Sequence, residues 1–133
     1  VMPGLRKMAT RLPAKDLLRA RAWYAEKLGL EPVEERPGGL RYLVGGCEFA
    51  LFDPAGASDG SFTQMSFEVA DLRAAVAELK RRGVVFEDYD DGPLCTEDSI
   101  ATIDGNYPSK GKGEYGAWFR DSEGNMLGIG QSF

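Results

Sequence analysis

Twice along this chain, apolar residues return at three- and four-residue steps. From Pro13 to Leu30 they are Leu17, Ala20, Tyr24 and Leu28, one face of an amphipathic helix. Asp16 stands where an N-cap carboxylate is wanted, and Gly29 where a left-handed stop is wanted. From Val69 to Val84 the stripe is Leu72, Ala75, Val76 and Leu79, capped by Asp71 and ended by Gly83. Around each helix the period drops to two. Leu5 to Leu12 predicts a strand with Met8, Thr10 and Leu12 on one face and Lys7, Ala9 and Arg11 on the other. Phe62 to Val69 does the same, with Thr63, Met65, Phe67 and Val69 opposite Gln64, Ser66 and Glu68. The chain is one unit written twice.

The first unit spans residues 5–53. Its helix is followed by short strands at Glu31 to Arg36, Leu40 to Val44 and Cys47 to Asp53, with turns at Pro37-Gly38-Gly39 and Gly45-Gly46. A polar connector, residues 54–61, is too short to separate independent domains. The second unit, residues 62–132, continues from its helix into a strand at Val84 to Asp88. Regularity then lapses from Tyr89 to Glu114, where only Ile100 to Ile103 reads as a strand and Asn106 to Gly113 as a mobile loop. A lapse of this length predicts a use, such as a lid. Tyr115 to Arg120 and Met126 to Gln131 form a closing hairpin. The expected class is α+β, a single domain of two strand–helix–three-strand modules.

Composition narrows the chemistry. The 133 residues are 43% hydrophobic and 28% charged, ordinary for a globular chain. A net charge of −5 argues against nucleic acid, whose phosphates call for clustered Lys and Arg. No apolar run approaches a membrane span, and the stretch from Val1 to Met8 lacks a signal-peptide core. Cys47 and Cys95 make no metal or redox spacing, so a reducing cytoplasmic location is expected. There is no histidine. That removes Ser/His and Cys/His nucleophile systems and imidazole metal sites. Chemistry, if any, falls to carboxylates, Tyr, Lys, Arg, Cys or backbone amides.

Three segments together, LPAKDLLRARAWYAEKLGL, FEVADLRAAVAELKRRGV and WFRDSEGNMLGIGQ, resemble the vicinal oxygen chelate superfamily, which holds glyoxalase I, bleomycin-resistance proteins, fosfomycin-resistance enzymes and extradiol dioxygenases. The resemblance implies two βαβββ modules whose strands curl into a cup-shaped mixed sheet, helices outside and ligand inside. It also implies where metal-binding members carry their donors. Those positions are here Ala9, a residue at or next to Ala50, Gln64 and Gly128, which offer at most one amide oxygen. No metal and no other cofactor is therefore expected.

If the polar strand faces line the cup, Lys7, Arg11, Gln64, Ser66 and Glu68 are ligand-binding candidates. Tyr42, Phe52, Phe62, Tyr89, Tyr115 and Trp118 could add stacking surface, although packing in the core is the better account of any single one of them. The acidic run Glu87 to Asp91, with Glu97 and Asp98, could draw a basic ligand; Lys110 and Lys112 could meet an anion. Two functions compete. The favoured one is a metal-free protein that holds a small organic molecule, drug or metabolite. The alternative is a metal-independent lyase or isomerase using a cup carboxylate, with Glu68 the candidate base. A homodimer is expected, with neither nucleic acid nor membrane as partner.

Overall fold

The computed structural model describes residues 2–53, 57–90, 92, 94–104 and 112–133. Asp16, with extended backbone, accepts the amide of Arg19 at 3.0 Å and opens helix α1 (Leu17–Trp23). The helix then widens into π-winding over Tyr24–Leu28. Gly29 stops it at φ 67°, where a residue without Cβ is unstrained, and the Leu30 amide returns to the Tyr24 carbonyl. Asp71 repeats the device for α2 (Leu72–Arg81), accepting the amide of Ala74 at 3.1 Å.

The strands fall into two sheets. The first holds β1 (Thr10–Pro13), β2 (Glu34–Arg36), β3 (Gly39–Val44) and β4 (Cys47–Phe52) in the order β1-β4-β3-β2. The second holds β5 (Thr63–Glu68), β6 (Thr96–Glu97), β7 (Ile100–Asp104), β8 (Gly113–Arg120) and β9 (Met126–Ser132) in the order β5-β9-β8-β7-β6. β1 runs parallel to β4 and β5 parallel to β9, and the other ladders are antiparallel. The fold is thus α+β, two βαβββ modules forming a cup-shaped mixed sheet with helices outside, and the second module gains one edge strand.

Several boundaries differ from expectation: β2 begins at Glu34 and not at Glu31, and β8 already at Gly113. β1 begins at Thr10, because Leu5 and Met8 are exposed and β4 offers its partners only from Phe49 to Phe52. Val84 to Asp88 makes one bridge, Phe86 to Phe119, as Val84 and Phe86 turn into the core. Within the irregular segment, β6 and β7 form a hairpin whose turn residues, Asp98 and Ser99, both take positive φ. Of the loop expected at Asn106 to Gly113, only Lys112 and Gly113 lie inside the described residues.

Period two sends one strand face to the helices. Leu12, Leu40, Tyr42, Phe49 and Leu51 from the first sheet join Ala117, Phe119, Leu127 and Ile129 from the second, and α1 and α2 close over them. Phe49 meets Phe67 edge-on across the two sheets, and Trp23 stacks on Phe119. The turn between β8 and β9 grips α1 with side chains. Asp121 accepts the Tyr24 phenol, Glu123 the Arg19 guanidinium, and Asn125 donates to the Pro13 carbonyl. The equivalent turn of the first module is Gly45-Gly46, which has no side chains to do the same.

Candidate functional site

The faces left uncovered by the helices carry the polar chemistry. On the first sheet, register aligns Arg11, Ala50, Arg41 and Glu34 in one row across four strands. Arg41 donates to Glu34 at 2.9 Å and to Glu48 at 3.1 Å, and Lys7 reaches the same Glu48 oxygen at 2.6 Å. Hydrogen bonds from Lys7 and Arg41 hold Glu48 below the usual carboxylate range, and those from Arg36 and Arg41 do the same to Glu34. Arg11 lies over the Phe52 ring at 4.9 Å and has no carboxylate partner among the described residues. A hollow of about 280 Å³ opens between these groups, lined by Arg11, Arg36, Gly39, Arg41, Ala50 and Phe52 among others.

On the second sheet the uncovered face has a glycine floor. A Cβ on Gly128 would stand 2.8 Å from Ser66 Oγ, and one on Gly130 3.1 Å from the Glu114 carboxylate. Ser66 and Glu114 therefore lie flat across the strand that the glycines leave bare. Trp118 borders Gly116 and meets Tyr89 edge-on at 5.6 Å. Partial burial, reinforced by the neighbouring Glu68 charge, pushes the Glu114 carboxyl up. A cleft of about 470 Å³ joins the two modules, touching Thr10, Cys47 and Glu48 on one side and Ser66 and Glu68 on the other.

Of the expected residues, Lys7, Arg11 and Phe52 gather around the first sheet's uncovered face, and Ser66, Glu68 and Trp118 around the second's. Tyr42 sits on the helix side instead, 1% exposed, stacked on Phe49; burial pushes its phenol up to about 12. Tyr115 also packs toward the core and against Phe133. Gln64 turns into the closing hairpin, where its oxygen accepts from Ser58 and the Met126 amide and its nitrogen donates to Asn125. Phe62 is exposed, Glu87 pairs with Arg120, and both cysteines are exposed. Lys110 and Asp91 lie outside the described residues. Two groups went unremarked in the sequence, Arg41 and Glu114. Each stands two or four residues along a strand from a glycine or Trp118 of the same face, so period two would have found them.

These residues do not fit a divalent metal. Ala50 lies in a row with two arginines, Gly128 is covered by the Ser66 hydroxyl, Gln64 spends its amide inside the hairpin, and Ala9 brings no donor. Among the described residues no three His, Cys, Asp or Glu side chains gather as a metal would need. Nor is any described helix long and apolar enough to cross a membrane.

A family model for the glyoxalase/bleomycin resistance protein/dioxygenase superfamily matches residues 8–129. No curated protein matches the sequence. Among solved structures, the chain is similar to TnmS3, an antibiotic binding protein from a Streptomyces species, with TM-score 0.67, 22% identity and 100% of each chain covered. It is similar to a protein from the mobile metagenome of V. pseudocholerae, with TM-score 0.68, 19% identity and 98% of this chain and 97% of that one covered. It is similar also to FosX, a fosfomycin resistance protein from Listeria monocytogenes complexed with Mn(II) and sulfate, with TM-score 0.64, 16% identity and 100% and 93% covered. At such identities the likeness speaks for the fold alone.

Proposed function

The chain belongs to the glyoxalase/bleomycin resistance protein/dioxygenase superfamily, and from that premise we propose that it is a binding protein, one that holds a small organic molecule in its cup without a metal. One observation carries this reading. At the places where metal-binding relatives are expected to keep donors, this chain puts a row of arginine, alanine and arginine on one sheet and a hydroxyl over a glycine on the other. Cations and filled space repel a divalent ion, whereas they suit an organic ligand with polar anchors. Lys7, Arg11, Phe52, Ser66, Glu68 and Trp118 are the residues proposed to meet the ligand. The antibiotic binding function of TnmS3 is in keeping with this reading.

The chain is proposed to act as a homodimer. Met2, Leu5 and Met8 are exposed along the segment before β1, and Phe62 beside β5 is exposed too, so apolar surface collects near two open sheet edges.

Native mass spectrometry of protein taken directly from the producing cells tests both statements. A retained small molecule on a dimer of 14.5 kDa chains, with no metal mass and no change in melting on adding EDTA, is the expected result. One equivalent of Zn, Mn, Fe or Ni per chain would overturn the metal-free reading.

A second reading rests on Glu114. Its raised carboxyl beside Glu68 suits a general base in a metal-independent lyase or isomerase. That reading requires a retained molecule to be turned over, and turnover to fall in Glu114→Gln while binding persists.

A further inference from the structure

The first sheet's uncovered face holds a cation that no carboxylate pairs with among the described residues. Arg36 and Arg41 are both engaged by Glu34, and Arg41 by Glu48 as well. Arg11 makes its contact with the Phe52 ring. Stacking on that ring holds the guanidinium plane at little entropic cost and leaves its fork of N–H donors free to bind. The chain carries 21 acidic residues against 16 basic ones, so an arginine that shares a sheet face with Glu34 and Glu48 and bonds neither is an exception to the pairing of that face.

The register places the opening beside it. Ala50 sits between Arg11 and Arg41, so those two strands lie roughly 10 Å apart, twice the spacing of neighbouring strands. A methyl group is all that fills the gap. The hollow of about 280 Å³ that results has one wall of apolar Phe52 and a floor of Ala50 and Gly39. It falls just below the usual range for ligand pockets, so it takes a ring-sized fragment and not an extended drug.

Resting on the binding reading above, and deepening it, we propose that the ligand is a small planar carboxylate whose two oxygens take the free fork of Arg11 while its ring lies over Ala50 along Phe52. A carboxylate matches the fork in geometry and charge, which a hydroxyl or an ammonium does not. The acidic balance of the whole chain would by itself suggest a neutral or cationic ligand; the local face is of the opposite sign.

Three ring compounds of similar size serve as probes: benzoate, benzyl alcohol and benzylamine. Each is titrated into isotope-labelled protein, and the backbone amides of Ala50 and Phe52 are followed by NMR. Benzoate is expected to shift them saturably and at least tenfold more tightly than the other two. Arg11→Gln should weaken benzoate at least tenfold, and Arg11→Lys should recover only part, because an ammonium lacks the fork. Ala50→Leu keeps the charge and fills the floor, and it should also abolish binding. Equal binding of benzoate by Arg11→Gln, or equal affinity for the neutral or cationic probe, would overturn the carboxylate and leave the cup as a binding site for something else. Failure of all three probes to shift amides on either uncovered face would overturn the planar carboxylate, and a molecule retained in native mass spectrometry would still uphold the binding reading on which it rests.

Discussion

Tyr24 and Asp121 stand 97 residues apart in the chain and 2.7 Å apart in the fold, phenol to carboxylate. The bond is buried and joins the first helix to the closing hairpin. The same carboxylate accepts the amides of Glu123 and Asn125 and the Asn125 side chain, so it organises the whole turn. Tyr24→Phe removes the donor and leaves a buried carboxylate oxygen with one partner fewer. The expected loss is about 1–3 kcal/mol in urea unfolding, with an unchanged denaturant slope.

Tyr42 makes the opposite prediction from a ring only 5.6 Å away. Its hydroxyl is buried and has no hydrogen-bond partner among the described residues. Tyr42→Phe should therefore be neutral or stabilising by up to about 1 kcal/mol, since it deletes an unpaired polar group without opening a cavity. A clear loss of stability would mean that the hydroxyl has a partner after all.

Restoring a side chain at Gly128 meets steric resistance. An alanine methyl there would stand 2.8 Å from Ser66 Oγ and 3.3 Å from a Thr63 methyl. Gly128→Ala should cost about 1–3 kcal/mol by overpacking. Combined with Ser66→Gly, most of that cost should vanish, and the non-additivity in a double-mutant cycle is the measurement. Simple additivity would place the clash elsewhere.

Glu123 ties stability to acid pH. The Arg19 guanidinium grips it bidentately at 2.8 and 2.9 Å, and the Asp16 amide and Ser122 hydroxyl add to the grip. Together these hold its carboxyl at about 2. The unfolded value is near 4.3, so the folded state is favoured above about pH 4.5 and that advantage drains away as pH falls toward 2. Half of Arg19 faces solvent, which screens the pair. Melting curves of wild type and Glu123→Gln should differ near neutrality and converge near pH 2. Parallel curves throughout would remove the ion pair as the cause.

Much of the architecture is legible because its signals are local. Asp16 and Asp71 cap where they were expected, and Gly29 stops its helix, since each depends on a few residues of backbone. The first strand is legible in pattern but not in length: Met8, Thr10 and Leu12 alternate correctly, yet pairing requires a neighbour that β4 does not extend to Leu5 or Met8. The candidate site was harder. Alternation separates two faces of a strand without saying which meets a helix, so Tyr42 and Tyr115 stand among the cup candidates although the core is the better account of either. Gln64 escaped the pattern because the β5 register shifts between Thr63 and Met65, and the bulge re-aims it into the hairpin. Arg11 without an acid partner emerges only when every acid's own partners are known in space.

Among the described residues the side-chain grip of the second module's closing turn on α1 has no counterpart at the first module's turn, where Gly45-Gly46 takes the place of Asp121 to Asn125. Two copies of one design are thus held with unequal tenacity. In native-state hydrogen exchange the amides of Glu123 and Asn125, both bonded to Asp121, should outlast those around the β3–β4 turn, and spontaneous local opening should start at the glycine end. Repetition supplied the shape, while the breaking of that repetition at one turn decides which half of the molecule lets go first.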